Sequence, residues 1–187
     1  MTRGSTDEPW SVVSSRQIVD DEWLSLRADT CRRPNGEIID PYYVFEYPNW
    51  VNIIAITNNH EVVLIRQYRH AVGRVLLEIP GGYMSASDVN AEAAARRELL
   101  EETGYGNGVF NQTGSVSANP ASHNNVNYCF VAEGVDYVTD QQLDIGENIA
   151  VELVPVEKAI ELAKGGCFFQ ALHVAAWFLA MSFLRIS

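Results

Sequence analysis

The chain has 187 residues, 47% of them hydrophobic, which suits one ordinary globular domain with room for a small appendage. Its formal net charge is −11 with no cluster of lysines or arginines to offset it, which argues against a nucleic-acid backbone as partner. Cys31, Cys129 and Cys167 are odd in number and lack metal-ligand spacing, the usage expected of reduced thiols in a cytoplasmic protein.

Residues 1–9 read as a disordered tail, and with no apolar core in them no signal peptide is expected. Residues 10–19 and 23–31 carry β-branched and aromatic side chains and read as strands, and Pro34-Asn35-Gly36 is a hairpin turn signal before a return strand over 38–46. Such a meander is too small to bury a core alone and should pack on something. Pro48-Asn49 marks a joint, so a subdomain over 10–48 and a main domain over 49–187 are expected. An apolar strand follows over 50–57, then a turn at Asn58-Asn59-His60 into a strand over 62–68. Arg66 and Arg69 lie three apart near the end of that strand, which points them to opposite faces, so only one should face a given site.

Residues 74–79 lead into Gly81-Gly82, read as a tight turn, and then into a helix over about 91–103 with Asp88 as its N-cap and Gly104 as its left-handed C-terminal cap. Ala91, Ala95 and Leu99 recur at helical spacing and should face a core. Glu98, Glu101 and Glu102 fall on another face, where like charges repel by roughly 0.2–0.5 kcal/mol per pair. Bunched carboxylates are either a solvated acidic patch or the donor set of a hard divalent cation. Strands are expected over 108–116 and 126–132, with a small polar loop at 117–125 suited to shaping a pocket; His123 in it is either a phosphate or ribose contact or an ordinary loop histidine. An acidic loop over 140–148 precedes a strand over 149–155 and a short helix over 157–164 stopped by Gly165-Gly166. The apolar segment 168–186 is interrupted by Gln170 and His173, and its unbroken run, 174–181, is too short to span a bilayer; over about 168–184 it reads as a helix packed on a sheet.

The segment from Gly82 to Tyr105 resembles the Nudix box, in which Gly and Glu are followed by Arg-Glu-aliphatic-any-Glu-Glu-any-Gly-aliphatic. Arg97-Glu98-Leu99-Leu100-Glu101-Glu102-Thr103-Gly104 fits the second half, with Tyr105 in the last aliphatic place. The first half departs by one residue: counting back from Arg97 puts Val89 at the first Glu position, whereas counting forward from Gly82 puts Asp88 there. Arg66-Gln67-Tyr68-Arg69 followed by Leu77-Glu78-Ile79-Pro80-Gly81-Gly82 is similar to the subgroup that hydrolyses ADP-ribose and related nucleoside diphosphate sugars.

The resemblance implies an α+β Nudix fold, a mixed sheet in an α/β/α sandwich, with a small N-terminal antiparallel β subdomain that builds a homodimer and helps hold the base. It implies Mg2+, with Mn2+ as substitute, held by Glu98, Glu101, Glu102, the Gly81 carbonyl and Glu147. Arg69, with Arg66 as a further candidate, would hold phosphate, Glu78 would contact substrate or metal, and Trp50 would stack on the base. Arg97 would orient Glu98. In the acidic loop Ile145 stands where some members carry the water-activating glutamate, leaving Glu147, Asp144 or Glu101 for that work. Products would be a nucleoside monophosphate and a sugar phosphate. The alternative is a nucleotide-sugar sensing module that kept the fold and lost turnover. Neither nucleic acid nor membrane is expected as a partner.

Overall fold

The computed structural model describes residues 8–185, so the tail expected at 1–9 lies outside the described residues for its first seven positions. The chain divides into two compact units, one of residues 8–47 with Asn119–Asn125, the other of Pro48–Ala118 with residues 126–185.

The first unit is an antiparallel three-stranded sheet in the order β1 (Ser11–Asp20), β2 (Ser25–Arg32), β3 (Ile38–Glu46). Local side chains make its turns. Asp21 Oδ1 accepts the N–H groups of Trp23 and Leu24, both at 2.8 Å, and Gly36, at φ +86°, closes the second turn on the Arg33 carbonyl. Arg27 ties β2 to itself and to β3 by pairing with Asp29 and Glu46. His123 packs against the rings of Phe45 and Tyr47, which holds Asn119–Asn125 in this unit. Strand β1 is exposed along almost its whole length, including Val12 and Val13.

The second unit is built on a mixed sheet. Its path is β10 (Ile149–Pro155), β5 (Glu61–Arg69), β4 (Trp50–Thr57), β9 (Asn127–Tyr137), β8 (Tyr105–Val116). Strand β6 (Arg74–Glu78) pairs with β5 and β7 (Gly81–Tyr83) with β4; β4 and β9 are parallel, and the other pairs antiparallel. Alternate residues of the central strands feed two cores. Ile54, Val62, Leu64, Cys129 and Val131 face α2 (Val156–Lys164) and α3 (Ala171–Leu184), while Val51, Ile53, Val63, Phe130 and Ala132 face α1 (Ala91–Thr103). Burial on both faces explains why 50–57 reads as an almost continuous apolar run rather than an alternating one. The result is a helix–sheet–helix sandwich, as expected. Among the described residues no helix is long and apolar enough to cross a membrane.

Three local expectations are corrected. Gly81-Gly82 is a short strand paired with Val51 and Asn52, because β4 offers it a free edge there. Strands β8 and β9 run on to a Tyr105–Tyr137 pairing, past Gly108 and Gly134, whose positive φ values let the ladder continue through irregular backbone. Helix α3 starts at Ala171, not at 168.

Candidate active site

Helix α1 begins at Asn90, not Asp88: the Asn90 side chain accepts the Ala93 N–H at 2.8 Å, and Gly104 at φ +74° ends the helix on the Leu100 carbonyl. Asp88 is taken up elsewhere. Its carboxylate accepts the Ser85 N–H at 2.8 Å and two bonds from Arg97, at 3.2 and 2.9 Å. The side chain is buried, and the Arg97 guanidinium holds it below the usual carboxylate range. Val89 is 87% exposed. Asp88, counted forward from Gly82, is therefore the acid that meets the helix.

Ala94, Ala95 and Leu99 are fully buried and Ala91 packs beside them, but Glu98 and Glu102 are buried as well, at 6% and 3% exposure. The expectation of a separate acidic face thus holds only for Glu101, which stays half-exposed against Arg97. Two glycines make the burial possible. The Gly81 N–H donates to Glu102 Oε2 at 2.8 Å, and the missing side chain of Gly82 leaves the space filled by the Glu98 carboxylate. Glu98 also pairs with Arg97 at 2.9 Å. Burial pushes the Glu98 carboxyl up to about 7, against the pull of Arg97 and with help from the charges of Glu101 and Glu147. Burial raises Glu102 well above its ordinary value too, and the charges of Glu98 and Glu147 add to it.

Glu102 and both glycines border a cavity of about 260 Å3, lined also by Trp50, Arg69 and Glu147 among others, whereas Glu98 lies behind Gly82 and neither it nor Glu101 is a lining residue. Glu147 is braced by its own loop: its carboxylate accepts the Asp144 N–H at 3.1 Å, and its N–H donates to the Asp144 carbonyl. Asp144 does not line the cavity, and Ile145 points fully into solvent. Arg69 is held by Glu78, which accepts its Nε and Nη2 at 3.0 and 2.6 Å while almost completely buried. That leaves the Nη1 donors of Arg69 for a ligand, and makes Glu78 a support for Arg69 rather than a lining residue. Arg66 is not brought to the cavity; it pairs with Glu152 at 2.7 Å. His123 is likewise elsewhere, among the rings of the first unit.

Among the described residues no three acidic, histidine or cysteine side chains already form a metal cage. Each carboxylate is parked on a donor of the chain: Glu98 and Glu101 share Arg97, Glu102 takes the Gly81 N–H and Glu147 the Asp144 N–H. The donor set still fits a hard divalent cation, because buried carboxylates that raise one another's pKa are stabilised by a cation between them.

Residues 47–175 match the NUDIX domain profile. The chain belongs to the NUDIX family. Residues 10–45 match a second profile, the nucleoside diphosphate sugar hydrolase N-terminal domain. The chain is 26% identical over 153 residues to the ADP-ribose pyrophosphatase of Bacillus subtilis (strain 168), spanning 81% of this chain and 82% of that one. It is 32% identical over 167 residues to the GDP-mannose pyrophosphatase of Enterobacter sp. (strain 638), spanning 80% and 84%. A crystal structure of an ADP compounds hydrolase superposes with a TM-score of 0.82 at 20% identity over 95% of each chain, which shows the shared fold.

Sequence reasoning missed four polar residues of this Nudix cavity: Asn52, Gln67, Asn127 and His173, all at least nine-tenths buried. The signal was available for one of them. Asn52 interrupts a strand start that is otherwise apolar, and a polar residue there is the informative exception, whereas Gln67 sits in the polar end Arg66-Gln67-Tyr68-Arg69.

Proposed function

We infer that this Nudix pyrophosphohydrolase cleaves the diphosphate linkage of ADP-ribose or a related nucleoside diphosphate sugar, giving a nucleoside monophosphate and a sugar phosphate. The observation that carries this is the pair of buried carboxylates, Glu98 and Glu102, set against Gly81-Gly82 at a cavity that also holds Arg69 and Glu147. Glu98, Glu101, Glu102, Glu147 and the Gly81 carbonyl would hold Mg2+, with Mn2+ as substitute. When bound, the metal neutralises the diphosphate charge and lowers the pKa of water.

The remaining roles belong to the chain itself. Arg69, fixed by Glu78, orients a phosphate through its Nη1 donors. Arg97 holds Glu98 and Glu101 in place, and is itself anchored by Asp88. Glu147 takes a proton at its carboxylate, being the loop acid that lines the cavity, and Trp50 offers a ring face to the base. The reading of a sensing module without turnover is not favoured, since a pure binding site gains nothing from buried, mutually repelling carboxylates. We assign residues 10–48 to dimerisation and base binding and 49–187 to catalysis. The exposed Val12, Val13 and Ile18 of β1 support a homodimer, and the three unpaired cysteines a cytoplasmic protein. The experiment is a panel of nucleoside diphosphate sugars, ADP-ribose and GDP-mannose among them, assayed for nucleoside monophosphate with Mg2+ or Mn2+. No release from any of them overturns the reading.

A further inference from the structure

The cavity has a second chemical character beside its carboxylates. Asn52, Gln67, Asn127 and His173 line it, and in each a buried polar atom (Oδ1, Oε1, Oδ1 and Nδ1) makes no hydrogen bond with any described residue. They come from four elements, β4, β5, β9 and α3, so no single loop explains them. A buried polar atom left without a partner is destabilising, and four of them around one cavity call for partners from outside the protein. All four side chains are neutral. Burial, reinforced by the charge of Arg69, lowers the His173 pKa to about 3, so its ring stays uncharged and keeps an acceptor nitrogen.

We propose that Asn52, Gln67, Asn127 and His173 form a neutral acceptor floor that binds the hydroxyl groups of the substrate's sugar and makes the enzyme selective for hydroxylated diphosphate esters. This rests on the hydrolase reading above and names residues that choose among its substrates. The hydroxyl is the ligand group that fits best. It both donates and accepts, so it satisfies a side-chain amide in either flip state, and it rotates to reach acceptors on different elements. An anionic group finds no positive charge among these four. A nucleobase, by contrast, presents fixed donors and acceptors in one plane and gains from stacking, which Trp50 and Tyr83 of the same cavity can offer. The floor also adjoins the reacting end. The Asn52 amide lies against Gly81, whose N–H holds Glu102.

The test compares ADP-ribose and GDP-mannose with the P2-methyl esters of ADP and GDP, which keep the diphosphate ester but lack the sugar hydroxyls. The expected kcat/KM ratio favours the sugar by at least about 10²-fold, as for sites built to pair a substrate hydroxyl. Gln67→Leu and Asn127→Leu, accepted only if they retain cooperative unfolding, should reduce that ratio at least tenfold. Equal kcat/KM for sugar and methyl ester in the wild-type protein overturns the proposal, with no need of any variant. So does a folded variant whose ratio is unchanged. Should no diphosphate be hydrolysed with any metal, the hydrolase reading fails separately. The floor is then judged by calorimetric affinities for the same ligands, where the same preference supports it and equal affinities overturn it.

Discussion

Gly82→Ala separates catalysis from folding in this protein. The backbone of Gly82 lies outside the left-handed region and pairs with Val51 as ordinary strand, so alanine is compatible with its conformation. The new methyl, however, would stand 2.5 Å from Glu98 Cδ and 2.6 Å from Glu98 Oε1, where ordinary contact begins near 3.4 Å. The carboxylate must withdraw by about 1 Å. As the far end of a flexible side chain it can do so for roughly 0.5–1.5 kcal/mol of rotamer strain, a small change in stability. A displacement of about 1 Å at a reacting centre can lower turnover by about 10²-fold. The assay pairs kcat at saturating Mg2+ with urea unfolding. Gly81→Ala is the contrast: its methyl would collide with the backbone carbonyl of Val51, so β4 and β7 must part and folding should suffer. A Gly82→Ala protein with wild-type kcat refutes the placement of Glu98 in the machinery.

Glu98→Gln should lower turnover by orders of magnitude without loss of fold. In metal-free wild-type protein the Glu98 carboxyl rises from 4.5 unfolded to about 7 folded, so its stabilising protonated form is complete below pH 4.5 and lost as pH rises to about 7. That is up to roughly 3 kcal/mol across the window; unfolding in chelator at several pH values should show the decline, and Glu98→Gln should flatten it. For Glu147→Gln the expected result is mixed: kcat down by about 10²-fold at saturating metal, and a higher metal concentration for half-maximal rate. Wild-type rates in both Glu147→Gln and Asp144→Asn would move the proton acceptor to the box helix. Sedimentation at micromolar concentration should give a dimer, and Val12→Glu on exposed β1 should shift it toward monomer; a fully active wild-type monomer counts against that assembly.

Legibility in the sequence followed the local physics. The strands at 50–57 and 149–155 were readable to the residue because polar turns or Pro bound them and, apart from Asn52 and Glu152, their interiors are apolar. The bunching of the α1 carboxylates was readable from spacing, but spacing left a solvated patch and a cation site open, and the resemblance to the Nudix box decided between them. The burial of Glu98 and Glu102 was not readable, because it depends on two glycines brought alongside by β7, a pairing with no local signature. The ends of β8 and β9 were hidden by Gly108 and Gly134, which read as breaks but sit within continuing pairings. Gln170 and His173 counted as interruptions of an apolar segment, whereas their place on the cavity depends on how α3 meets the sheet.

The one-residue shift in the box also gains a physical meaning from Arg97. A guanidinium has a fixed fork of donors, and here Nε and Nη2 face Asp88 while Nη1 serves Glu98 and Glu101. Two carboxylates on one nitrogen would pull the side chain toward the helix if nothing opposed them. Asp88 opposes them from the loop before the helix, and that loop is pinned by the Ser85 N–H bond to the same carboxylate and by the Arg97 bond to the Tyr83 carbonyl. A shorter acid one turn before the helix therefore does what a longer one nearer to it could do, provided the loop brings it in. With Arg97 fixed from both sides, Glu98 stays close to its neighbours in charge but not free to swing away from them. That restraint keeps a buried carboxylate at raised pKa beside Gly82 rather than letting it escape to solvent.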